Sequence, residues 1–148
     1  MYKNILVAID DSETSRSALK EALHIARTSS AKLYITHVAD ETMLNLHGHA
    51  MSGAVNIDGA VATLIQAGQK LLDKAMESAA GINAEALMLE ASNRRVSETI
   101  ADKARDLGVE LIVIGRHGQR GLATLILGSV AEQLARIADA SVLLVRKH

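Results

Sequence analysis

The chain reads as an α/β fold: a five-stranded parallel sheet in the order 3-2-1-4-5, with helices on both faces. Three observations predict it. Five short aliphatic-rich runs (Ile5–Ile9, Lys32–Val38, Ala84–Leu89, Leu111–Ile114 and Ser141–Val145) have strand length. Four stretches of helical period lie between them, and this alternation is the mark of a parallel sheet. Right-handed crossovers with one reversal of winding then give the strand order. At 148 residues and 49% apolar, residues 1–148 are read as a single domain.

Taken in order, Ile5-Leu6-Val7-Ala8-Ile9 has no polar alternation, as expected of a strand covered on both faces. Asp10-Asp11-Ser12 stops it and offers Asp11 or Ser12 as a helix N-cap. Ala18, Ala22, Ile25 and Ala26 recur at helical spacing, so the first helix is predicted from about Glu13 to Thr28. Residues 39–59, with Gly48, Gly53 and Gly59, read as a long mobile connection. From Ala60 the helical period resumes through Val61, Leu64, Ile65, Gly68, Leu71, Leu72, Ala75 and Met76, with Gly81 as a C-cap. Asn93 is expected to cap a third helix whose inward face is Val96, Ile100, Ala104 and Leu107, ended by Gly108. A fourth helix is expected to run to about Asp139 before the last strand.

Composition excludes several classes of function. A formal charge of −1 offers no general attraction to nucleic acid or an anionic membrane. With no cysteine there are no disulfides, thiolate metal sites or cysteine nucleophiles. Phe and Trp are absent and the only aromatics are Tyr2 and Tyr34, so stacking platforms for single-stranded nucleic acid are missing. The amino terminus becomes strand-like too soon for a signal peptide, and no run approaches the roughly 18 apolar residues of a membrane span. The expectation is a cytoplasmic protein.

The informative stretch follows the fourth strand. Gly115-Arg116-His117-Gly118 and, nine residues on, Gly128-Ser129 lie between Leu111–Ile114 and the helical Val130–Ile137. A strand, a glycine-bearing loop and a helix start present unpaired amides and the positive end of a helix dipole, an arrangement that suits phosphate. The dinucleotide fingerprint is ruled out because the first strand-helix turn, Ile9–Glu13, has no glycine. The P-loop is ruled out because Gly128 runs straight into Ser129 without a lysine. The reversal of winding falls between strands one and four, so Asp10 and Gly115 are predicted neighbours. No nucleophile-base-acid set is visible. His47 and His49 lack a third ligand at metal spacing, and His24 and His37 are expected to be packed or hydrogen-bonded within the fold.

Gly115-x-x-Gly118, nine residues, Gly128-Ser129 resembles the nucleotide-binding signature of the universal stress protein family. Lys3–Ser12, Thr36-His37-Val38, Leu127–Glu132 and Val142–Arg146 extend the resemblance along the whole chain. It implies a Rossmann-like, adenine nucleotide alpha-hydrolase-like domain that binds ATP (or ADP or AMP), with Mg²⁺ or Mn²⁺ carried on the phosphates and no metal ligand from the chain itself. Carried over, Ala8, Ile9 and Asp10 lie beneath the nucleoside, with Asp10 on a ribose hydroxyl and the backbone of Val38 on the adenine edge. Gly115, Arg116 and Gly118 contact ribose and phosphates, and Gly128, Ser129 and Val130 hold the phosphates at the helix start. Asp10 is also a helix-cap candidate, and Arg116 and Arg120 could equally be solvated. The resemblance further implies a homodimer through Val142, Leu143, Leu144 and Val145, a regulatory protein partner, and neither nucleic acid nor membrane as ligand. The implied function is a nucleotide-dependent regulatory module of the stress response. The alternatives are a slow ATP hydrolase and a nucleotide-independent, chaperone-like dimer.

Overall fold

A computed structural model describes residues 1–41, 57–117 and 128–147. Its strands are β1 (Asn4–Ala8), β2 (Lys32–Ala39), β3 (Ala84–Glu90), β4 (Leu111–Gly115) and β5 (Ser141–Val145). The helices are α1 (Glu13–Ser29), α2 (Ile57–Glu77), α3 (Val96–Asp106) and α4 (Ser129–Ile137). All strands are parallel, in the order β3-β2-β1-β4-β5 that the sequence predicts.

The unbroken apolar run in β1 is explained by the two cores. Ile5 and Val7 point to one face, where they meet Leu33, Ile35 and Val113 under α1 and α2. Leu6 and Ala8 point to the other, with Tyr34, Ile112 and Ile114 under α3 and α4. Each large aliphatic side chain buried in this way contributes about 1.5–3 kcal/mol before entropy is counted. Both faces of a central strand need that contribution, so no polar residue can alternate in.

Several boundaries differ from the sequence expectation. α2 begins at Ile57 rather than Ala60, and α4 ends at Ile137 rather than near Asp139. Asn93 does not cap α3: the N-cap position is Arg95, which makes no side-chain cap bond. Instead Ser92 and Asn93 adopt left-handed backbone, φ 51° and 66°, in the turn that leaves β3. A short polar side chain tolerates that conformation, and here this use of Asn93 prevails over capping. Gly81 lies beyond the end of α2 in a turn, at φ 83°. His47, His49 and most of the 39–59 connection lie outside the described residues. Among the described residues no helix is long and apolar enough to cross a membrane.

Candidate functional site

The winding reverses between β1 and β4, and the site residues are distributed around that point. Ala8 pairs with Ile114 on one side and with Thr36 on the other. Asp10 therefore emerges beside Gly115 and Arg116, and Val38 stands at its level on β2. Asp10 and Val38 are half-buried, whereas Ala8 and Ile9 are covered.

The start of α1 shapes this corner. Ser12 is its N-cap, in extended conformation, and its hydroxyl accepts from the Ser15 amide at 3.2 Å. Of the capping candidates Asp10, Asp11 and Ser12, Ser12 therefore takes the role. Asp10 works just upstream: its Oδ1 accepts from the Ser12 amide at 2.8 Å, an Asx-type turn. The Ser15 hydroxyl in turn accepts from the Asp10 amide at 2.8 Å. This reciprocal pattern satisfies donors before the helix begins.

Gly115 has a role that its place in the glycine signature did not reveal. A Cβ there would lie 2.8 Å from the carbonyl carbon and Oγ1 of Thr14, and 3.0 Å from the Ser15 amide nitrogen. The end of β4 thus presses against the first turn of α1, and only glycine permits that approach. Two further bonds fix the junction: Arg116 N–H donates to the Val145 carbonyl at 2.8 Å, and the Thr14 hydroxyl donates to the His117 carbonyl. Thr14 and Ser15, both buried, belong to the corner although sequence reasoning passed over them. The available signal was two small hydroxyl residues in the first turn of the helix that follows Asp10, the predicted neighbour of Gly115.

Gly118 lies outside the described residues. On the far side of that gap the Gly128 amide donates to the Arg116 carbonyl at 2.8 Å, which brings the start of α4 back to the exit of β4. Gly128 is the N-cap of α4 and offers no side chain to cover the first-turn amides; intrahelical bonding begins with Glu132 N–H to the Gly128 carbonyl at 2.9 Å. Ser129 is exposed there, and Arg116 and Val130 are half-buried. A helix start with no N-cap side chain, its dipole and a serine hydroxyl suit a phosphate-bearing ligand. Among the described residues no cluster of three or more acidic or histidine side chains could hold a metal ion.

These features define a doubly wound α/β protein, a class of fold in which ligands bind at the topological switch point. A model of the universal stress protein family matches residues 1–146. The chain belongs to that family. It is 35% identical to universal stress protein YxiE of Bacillus subtilis, over 99% of this chain and 100% of that one. A solved universal stress family protein from Burkholderia pseudomallei is 29% identical, with a TM-score of 0.77 over 97% of this chain and 96% of that one. Two 23% identical structures share the fold: a universal stress protein in complex with cAMP, with a TM-score of 0.65 over 99% and 98% of the two chains, and one from Archaeoglobus fulgidus in complex with dAMP, with a TM-score of 0.66 over 97% and 98%.

Proposed function

We propose that this protein is a cytoplasmic, ATP-binding regulatory module that carries Mg²⁺ or Mn²⁺ on the bound phosphates. The carrying observation is the hydrogen bond from Gly128 to Arg116, which brings a helix start without an N-cap side chain to the carboxyl end of the sheet, where Asp10 emerges. Ala8, Ile9, Asp10 and Val38 would take the nucleoside. Gly115, Arg116 and Gly118 would contact ribose and phosphates, and Gly128, Ser129 and Val130 would hold the phosphates at the helix start. The cAMP- and dAMP-bound relatives support an adenine nucleotide as the ligand class. Gly115 contributes through its backbone, because its α-carbon faces Thr14 rather than solvent.

Regulation requires only that ATP bind one arrangement of the protein more tightly than another, so that a partner meets a changed surface. Among the described residues β5 is one edge of the sheet, hydrogen-bonded to β4 alone. A groove of about 320 Å³ beside it is lined by Glu21, Leu143, Leu144, Val145 and Arg146. Two-fold pairing of β5 in a homodimer would satisfy the edge amides of both copies and cover Val142 to Val145.

The test is titration calorimetry and thermal unfolding with ATP, GTP and Mg²⁺. ATP at about 100 times its Kd should add roughly 2.7 kcal/mol of stability, and GTP much less. No response at millimolar ATP would remove the proposal. Incubation with ATP and Mg²⁺ separates a binding module from a hydrolase, since multiple turnovers abolished by Asp10→Ala would favour the enzyme. Leu144→Lys should shift the sedimentation of the protein toward the monomer.

A further inference from the structure

The peptide joining Ile9 to Asp10 lies beyond the last residue of β1, Ala8, where the sheet ladder no longer satisfies it. It is held at both ends by side chains. The Ile9 carbonyl meets Nδ1 of His37 at 2.8 Å, and the Asp10 amide donates to the Ser15 hydroxyl at 2.8 Å. A carbonyl can only accept, so Nδ1 carries the proton and the tautomer is fixed by this bond. The preceding amide is also held, with Ile9 N–H donating to the Thr36 carbonyl at 2.8 Å.

The imidazole is itself confined. His37 pairs with Met88 across β2 and β3, and α2 lies over both. At that crossing α2 carries Gly68, where a Cβ would fall 2.6 Å from His37 Cδ2 and 2.8 Å from Met88 Cε. The helix thus leaves space for the ring at the level from which Nδ1 reaches β1. The peptide plane before a residue sets the direction in which its side chain departs, because only φ and χ1 remain to be fixed. Asp10 Oδ1 then closes on the Ser12 amide from a defined starting point.

We infer that His37 is a positioning residue, which aims the Asp10 carboxylate by gripping the peptide in front of it while Ser15 grips the other end. This rests on the nucleotide reading above for its consequence, though not for its geometry. His37→Leu should weaken ATP binding roughly 3- to 10-fold, the affinity equivalent of about one hydrogen bond. His37→Asn, whose amide nitrogen can take the place of Nδ1, should restore most of the affinity. In an Asp10→Ala background, His37→Leu should change affinity less than about two-fold, because a residue acting through Asp10 has nothing left to aim.

A second readout needs no nucleotide. In the ligand-free protein, hydrogen exchange at the Asp10 and Ser12 amides should quicken in His37→Leu relative to Val7, and slow again in His37→Asn. If His37→Leu fails to fold, Ser15→Ala releases the same peptide from its other end and should give the same pattern. Unchanged exchange at Asp10 and Ser12 in the folded variants overturns the inference, as does a His37→Leu effect that persists undiminished without Asp10. A wild-type protein that ignores ATP while the exchange pattern holds overturns the proposed function instead.

Discussion

The two ends of the sheet satisfy their backbone groups with different side chains. At the amino-terminal end, Glu110 does so with charge: its Oε2 accepts from the amides of Lys3 at 2.5 Å and Asn4 at 3.2 Å. Around it, Glu110 N–H donates to the Asn4 carbonyl, Ser141 N–H to the Glu110 carbonyl, and the Asn4 side chain to the Gly108 carbonyl. At the carboxyl end, hydroxyls and an imidazole do most of this work, through Ser12, Thr14, Ser15 and His37, and Asp10 Oδ1 is the one carboxylate described there on a backbone amide. The first arrangement closes the sheet onto itself. The second fixes the corner chiefly with hydroxyl and imidazole groups, with Asp10 Oδ1 on the Ser12 amide, and the N-cap of α4, Gly128, makes no side-chain cap bond. Substitution of Asp10 at one end and of Glu110 at the other should therefore separate ligand binding from stability, while the packing at Gly115 shows how rigidly the carboxyl corner is held.

The largest effect is expected where the carboxyl corner is tightest. Gly115→Val would drive a branched side chain into the backbone of Thr14 and Ser15, which cannot rotate away as a side-chain tip could. Overpacking of this kind costs about 3 kcal/mol. Thermal unfolding should fall by roughly 6–12 °C for a chain of this size. A loss under about 1 kcal/mol would mean that the first turn of α1 yields, and the corner would not be rigid.

Asp10→Ala should act the other way, on binding more than on folding. Removal of a carboxylate that bonds a ribose hydroxyl costs about 2 kcal/mol, or roughly 30-fold in ATP affinity by calorimetry. The local loss is one bond to the Ser12 amide at the edge of a helix, so the unfolding midpoint should move little. A large fall in stability with unaltered affinity would place Asp10 with the amino-terminal type of residue, as a structural cap alone.

The legible part of this protein was its periodic part. The strand order followed from the alternation of elements, and the unbroken β1 run foretold two cores because a single-faced strand would have alternated. The proximity of Asp10 to Gly115 followed from topology alone. Less legible were residues with two local uses. Asn93 can cap a helix or take left-handed backbone, and only the geometry of the turn after β3 decides between them. Gly115 looked like a residue cleared for a ligand, yet the clearance on its α-carbon belongs to Thr14. The His37 bond to Ile9 joins residues 28 apart across two strands, a contact without a periodic signature in the chain.

The amino-terminal end provides the smallest effect and the clearest contrast, because it responds to pH. The amides of Lys3 and then Asn4, donating to Glu110, hold its carboxyl below the ordinary value of 4.5, against the opposing effect of desolvation. A folded-state value lower than the unfolded one means that the unfolded chain binds more protons as the pH falls. The stabilisation is therefore complete above about 4.5 and disappears as pH drops through the lowered value. Glu110→Gln should accordingly be less stable than wild type at pH 7, with the two unfolding midpoints converging below pH 4.5 in a urea series. ATP affinity at pH 7 should be the same in both proteins, since Glu110 sits at the opposite end of the strands from Asp10 and Gly128. A stability difference that held constant down to pH 3 would show that the amide contacts, and not the charge, make this clasp; a change in affinity would show that the two ends of the sheet are coupled.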